Sequence, residues 1–237
     1  MLGGKVNPVL ILTHNNLELT KRCVESVLKQ DIPTEVLIYD NGSTDGTVEW
    51  LPEEWVRSDK RVTYSLLGSN RGVSAAWNMG LGYLIAAYGH ALVIGNDTVL
   101  GPWTYRKMLS IGVPFVTGVA VDKMEQVIEP GPLGVLTSNP DFSCFLATKE
   151  CWETVGPFDE RMKFYAQDCD FHVRAHRLGM RLWKCCLPYY HERSSTLRLA
   201  SPEERAEINA QANKDRAVFQ SLYGCLPGSK EYEEIFK

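Results

Sequence analysis

In the first hundred residues, apolar runs alternate with segments of helical spacing. Residues 8–16, PVLILTHNN, are an apolar run stopped by polar side chains, the pattern of a strand buried on both faces in a parallel sheet. Residues 17–30 follow with Leu19, Cys23, Val24, Val27 and Leu28 at helical spacing. A second buried strand is predicted at 34–40, TEVLIYD, closed by the turn DNGSTDG. TVEWLPEEW reads as helix until Pro52, and 61–69 as a third strand. A long helix over 73–89 ends at Gly89, and 91–97 is the fourth strand.

The second half is less regular. Residues 114–121 read as a strand, 129–141 as a loop rich in Gly and Pro, and 142–156 as a strand running into a helix that stops at Gly156. A helix is predicted over 167–179 and the last strand over 180–191. The segment 201–224 opens with Ser, Pro and two Glu, a strong helix start. Strand and helix alternating at this spacing give an α/β fold, a parallel sheet covered by helices.

Three polar clusters, His14–Asn15–Asn16, Asp40–Asn41 and Asn96–Asp97, each sit at the carboxyl end of a predicted strand. That edge is where open α/β sheets bind ligands. One such cluster is a turn; three on one edge are a candidate site. Gly72 in NRGVSAAWNMG permits close backbone approach at a helix start, which suits a nucleotide. Arg71 beside it reaches toward a base or phosphate, and Asn78 in the same helix needs a partner for its amide. Trp77 reads as core packing.

Composition narrows the function. The 237 residues suffice for one large α/β domain or two small ones, and the formal net charge of −4 with no basic stripe argues against nucleic acid. No apolar run approaches a membrane span, and the N-terminus does not read as a signal peptide. Seven scattered cysteines without a CxxC pair read as reduced thiols of a cytoplasmic protein and argue against a cysteine-based zinc site.

DNGSTDGT, NRGVSAAWNMGL, GND, GPFDERM, QDCDFHVRAHRLGMRL and HERSST stand in the order found in family 2 glycosyltransferases, which this chain resembles over roughly residues 8–196. The resemblance implies a GT-A fold: a single Rossmann-like, mostly parallel sheet flanked by helices over 1–200, with a C-terminal helical extension over 201–237. Residues 1–100 would hold a UDP- or dTDP-sugar and 101–200 the acceptor and the catalytic groups. It implies an inverting transfer to a carbohydrate, lipid-linked or protein acceptor; residues 201–237 lie outside the resemblance and are candidates to pack on the core, form a homodimer contact or touch the acceptor.

For the nucleotide the resemblance marks Thr13, His14, Asn15, Asp40, Asn70, Arg71, Gly72, Asn78, Asn96 and Asp97. A sugar diphosphate leaves more readily when a divalent cation neutralises it. Many family members carry an aspartate pair where this chain has Asn96–Asp97, so Asp97 is the charged ligand and His191, matching the family's late histidine, the second. Oxygen ligands suit Mg2+ or Mn2+, and a histidine favours manganese. Arg193 and Arg198 are candidates to clamp the diphosphate, Ser143 to approach donor sugar or acceptor, and Trp152 to stack on a sugar, though its helical spacing also suits the core. In QDCD, the match makes Asp168 the general base, with Asp170 capping the helix or holding Arg174 four residues on. Gln167 stands where the family has Glu and can still hydrogen-bond an acceptor hydroxyl.

Two other readings compete. A nucleotidyltransferase would carry a Gly-rich basic loop after its first strand, and THNNLEL has neither feature. A catalytically silent carbohydrate-binding domain stays open because Asn96 and Gln167 replace carboxylates.

Overall fold

The computed structural model describes residues 6–136, 140–193 and 198–237. The strands are β1 (Asn7–Thr13), β2 (Thr34–Asp40), β3 (Val62–Leu66), β4 (His90–Gly95), β5 (Thr98–Val99), β6 (Phe115–Val121), β7 (Val135–Leu136), β8 (Cys144–Thr148) and β9 (Trp183–His191). The helices are α1 (Leu17–Leu28), α2 (Thr47–Ser58), α3 (Val73–Tyr88), α4 (Thr104–Ser110), α5 (Lys149–Val155), α6 (Gln167–Arg177), α7 (Pro202–Tyr223) and α8 (Lys230–Glu234).

One sheet runs β3-β2-β1-β4-β8-β6-β9-β5, with β7 on β9. From β3 to β4 every pairing is parallel, as the alternating pattern predicted. Beyond β4 the order changes, because β8 pairs antiparallel with both β4 and β6 while β9 runs parallel to β6. Two reversals through β8 leave β4, β6 and β9 pointing the same way. The carboxyl ends of β1, β2, β4 and β9 therefore share an edge with the amino-terminal approach to β8.

The strand pleat divides the core. Val9 and Ile11 of β1 pack with Cys23, Val24 and Val27 of α1 on one face. Leu10 faces Trp77, Leu81 and Leu84 of α3 on the other. A third cluster joins Val173 of α6 to Phe219, Cys225 and Tyr232, so the C-terminal helices pack onto α6.

Some details depart from the sequence pattern. Helix α2 continues through Pro52 to Ser58, so that proline does not end it. The loop predicted over 129–141 contains β7, and its residues 137–139 lie outside the described residues, as do 194–197 of the HERSST motif. Strand β5 and helices α4 and α8 carry no pattern strong enough to predict. All seven cysteines are free. Among the described residues no helix is long and apolar enough to cross a membrane.

Candidate active site

The shared edge opens into a cavity of about 940 Å³, within the range of small-molecule sites. His14, Asn15, Asn70, Asp97, Ser143, Gln167, Asp168 and His191 all line it. These include candidates from both halves of the chain.

The side expected to take the nucleotide is a set of interlocked loops. Thr13 and Asp40 are paired neighbours at the ends of β1 and β2. Asp40 is buried; one oxygen accepts the backbone N–H groups of Gly42 and Ser43 at 3.1 and 3.0 Å, and the other, Oδ2, is buried without a partner among the described residues. The Asx turn and a free acceptor therefore coexist on one carboxylate. Asn15 adopts a left-handed backbone; its N–H donates to Ser43 Oγ at 2.7 Å and its Oδ1 accepts from Thr44 N–H at 2.7 Å. Neither Asn15 nor Asn16 caps α1 through its side chain; Asp45 accepts the Leu17 N–H instead, at 2.9 Å.

Several candidates turn out to brace the cleft. The Asn96 amide donates to Thr13 Oγ1, the Asn15 carbonyl and Thr20 Oγ1, all at 2.9–3.0 Å, and so fastens the end of β4 to the loop after β1. Asn78 is not brought to the cleft: it donates to the Phe158 carbonyl and accepts the Phe158 N–H at 2.9 and 2.8 Å, tying α3 to GPFDERM. The N-terminus of α3 is closed as an anion site, because the Lys163 carbonyl accepts from Val73 N–H at 2.7 Å and also from Ser74 N–H. Gly72 is required there for a different neighbour: a Cβ would lie 3.0 Å from the Lys163 carbonyl oxygen. Arg71 is exposed outside the cavity wall.

Asn41, named in the sequence only as part of the Asp40–Asn41 cluster, holds the 70–72 loop. It donates to Asn70 Oδ1 at 3.0 Å and accepts the Arg71 N–H at 2.8 Å.

Across the cavity, pairing of Thr98 with His191 in β5 and β9 brings His191 Nε2 to 3.4 Å from Asp97 Oδ1. Burial opposes protonation of His191, but the hydrogen bond and charge of Asp97, with the charge of Asp141, outweigh it and raise the imidazole pKa. Asp141 was not a candidate from the sequence. Burial works against its carboxylate, yet the hydroxyl and N–H of Ser143, at 2.6 and 3.0 Å, hold its pKa below the ordinary value. Ser143 is occupied by Asp141 and by the Tyr189 hydroxyl at 2.8 Å. Among the described residues no three His, Cys, Asp or Glu side chains form a metal cluster. Asp97 and His191 alone fit a divalent cation that keeps most of its shell for ligand oxygens, since two cis ligands about 2.1 Å from one ion stand about 3 Å apart.

The opposite wall is the start of α6. Asp168 Oδ1 accepts the Cys169 N–H at 2.8 Å. Burial raises the Asp168 carboxyl pKa, the Cys169 bond opposes this, and the nearby Asp141 charge adds to it. Gln167 is 6% exposed and its Oε1 has no partner among the described residues. Asp170 points away from the cavity: it holds Arg174 at 2.8 Å, the four-residue pairing expected, and accepts the Tyr223 hydroxyl at 2.6 Å. Arg193 and Arg198 stand outside the cavity wall, paired with Asp122 and Glu192. Trp152, on α5, packs against the core.

The chain is similar to known proteins in two ways. Residues 9–109 match the family model described as glycosyl transferase family 2. Among solved structures, S. aureus TarS superposes with a TM-score of 0.61 at 17% identity, over 98% of this chain and 47% of TarS. The mannosyltransferase PcManGT from Pyrobaculum calidifontis, in complex with GDP-Man and Mn2+, gives 0.60 at 17%, over 98% and 83%. GalNAc-T7 with UDP, GalNAc and Mn2+ gives 0.63 at 12%, over 81% and 44%. The chain thus spans about half the length of the TarS and GalNAc-T7 chains. No curated protein matches it by sequence. The match over the first four strands and their loops and the superposition of the sheet agree: residues 9–109 are similar to glycosyl transferase family 2, and the chain has the fold of these glycosyltransferases.

Proposed function

We propose that the protein is an inverting glycosyltransferase that moves a sugar from a nucleoside diphosphate, UDP- or dTDP-linked, to an acceptor hydroxyl. The observation that carries the reading is one cavity lined both by the loops after β1 and β4 and by Asp168 at the start of α6. His14, Asn15 and Asn70, which line the cavity, supply polar contacts for the nucleoside. Asp97 and His191 would hold a divalent cation, manganese or magnesium, which neutralises charge on the leaving diphosphate.

Asp168 faces the same space. In a single displacement the acceptor oxygen bonds to the anomeric carbon as the bond from that carbon to the diphosphate oxygen breaks. The acceptor's proton passes to the Asp168 carboxylate, and the diphosphate departs with the bonding electrons. The raised pKa of Asp168 makes it a stronger base than an ordinary aspartate. Gln167 Oε1 offers an acceptor to hold a second hydroxyl.

A thermal-shift screen of UDP-, dTDP- and GDP-sugars with and without Mn2+, followed by assay of nucleoside diphosphate release, tests this reading. Metal-dependent stabilisation by a pyrimidine nucleotide-sugar, with release of its diphosphate, is expected. Stabilisation without release or transfer to any acceptor favours the silent binding domain, and no stabilisation contradicts both.

A further inference from the structure

Asp168 sits on a backbone that needs outside support. Ala166, two residues before it, is left-handed at φ +67°, a conformation that is strained for a non-glycine residue and persists only where surroundings impose it. From one side α3 grips the segment, through Lys163 and through Ser74 Oγ on the Met162 carbonyl. From the other side the support comes from α7, beyond the family match. Asp215 of α7 is fully buried; its Oδ2 accepts the N–H groups of Phe164 and Tyr165 at 2.8 and 3.0 Å, and its Oδ1 accepts from Gln211 Nε2 at 2.7 Å. Arg216 adds its guanidinium over the Tyr165 ring at 5.6 Å.

A buried carboxylate that serves only to join a helix to the core is a costly choice, since burial of charge is unfavourable unless each oxygen is satisfied. Here both oxygens are satisfied, and the two N–H groups they take belong to the loop that aims Gln167 and Asp168 into the cavity. We infer that Asp215 is the positioning residue for Asp168, and that α7 is a working part of the active site. The inference rests on the reading of Asp168 as the base.

The groups that face Asp168 are Asp141 from the approach to β8, Cys169 on its own helix and Tyr232 from α8, with Lys163 and Glu207 on the same cavity wall. Asp215 acts on none of these directly. Its loss would change Asp168 by letting the loop relax and water in.

The test is a carboxyl-carbon NMR titration, with the Asp168 signal assigned by its absence in Asp168→Asn. In Asp215→Ala the Asp168 signal is expected to titrate at lower pH than in the wild type. Affinity for UDP with Mn2+ should stay within about threefold, because the nucleotide loops are untouched. Asp215→Asn, which keeps an oxygen for both N–H groups, restores the wild-type titration. An unmoved titration in Asp215→Ala overturns the inference, as does parallel loss of UDP affinity or failure of Asp215→Asn to restore. If Asp215→Ala does not fold, Gln211→Ala removes the partner of Oδ1; the same downward displacement supports the inference and an unmoved titration overturns it. Full transfer activity in Asp168→Asn would instead remove the base reading, with the titration still reporting whether Asp215 governs Asp168.

Discussion

Asp97 and His191 owe their meeting to β5, a two-residue strand that lays Thr98 against His191. Ligation needs the imidazole neutral, and Asp97 raises its pKa in the absence of a cation. Metal-dependent UDP binding should therefore strengthen as pH rises through that raised value and weaken below it, which calorimetry at several pH values checks. Asp97→Ala should abolish the Mn2+ dependence of UDP binding and His191→Ala should weaken it; EDTA leaving transfer unchanged would refute the metal role. Asp170 differs in kind from its neighbour Asp168. At 2% exposure, bonded to Arg174 and Tyr223, it joins α6 to the GPFDERM turn and α7. Asp170→Asn should lower stability by about 3 kcal/mol in denaturant unfolding while UDP affinity is kept. The Asp170–Arg174 pairing was legible in the sequence because its spacing lies within one helix. Asp141 was not, because its importance arises only when β8 enters the sheet in reverse.

The elements that shape the proposed nucleotide side are loops locked to one another, and glycine permits the closest approach. Gly42 has φ +83°, and a Cβ there would lie 2.7 Å from the Ser69 backbone carbon. Gly42→Ala should cost about 2 kcal/mol and weaken UDP binding together, since the loops after β2 and β3 must part. Urea unfolding and UDP titration read the two effects. Strands β1, β2 and β4 were legible because they are buried on both faces and are closed by polar residues. The roles of Asn78 and Asn96 were not, because each amide finds its partners on distant segments. Pro52 misled for a local reason: it gives up one helical hydrogen bond, yet α2 keeps its other contacts with β3 and continues.

At the scale of the molecule, a parallel first half and a mixed second half meet along β4 and β8, and the helical extension closes the far wall of the cavity they form. The extension was legible as a helix from its capping box, Ser201 with Glu204, but its face toward the site was not. The site also carries a stability cost with a definite sign. The folded state raises the Asp168 pKa, so it binds that proton more tightly than the unfolded chain does. The stability linked to Asp168 is present below the unfolded carboxyl pKa and is lost as pH rises through the folded value. Asp168→Asn should accordingly melt no lower than the wild type at pH 7. The most direct measurement compares this variant with the wild type in two assays on one preparation: calorimetry with UDP and Mn2+, and transfer from the donor found in the nucleotide-sugar screen. The account predicts unchanged UDP affinity and transfer reduced on the order of a hundredfold or more; transfer at the wild-type rate would contradict it.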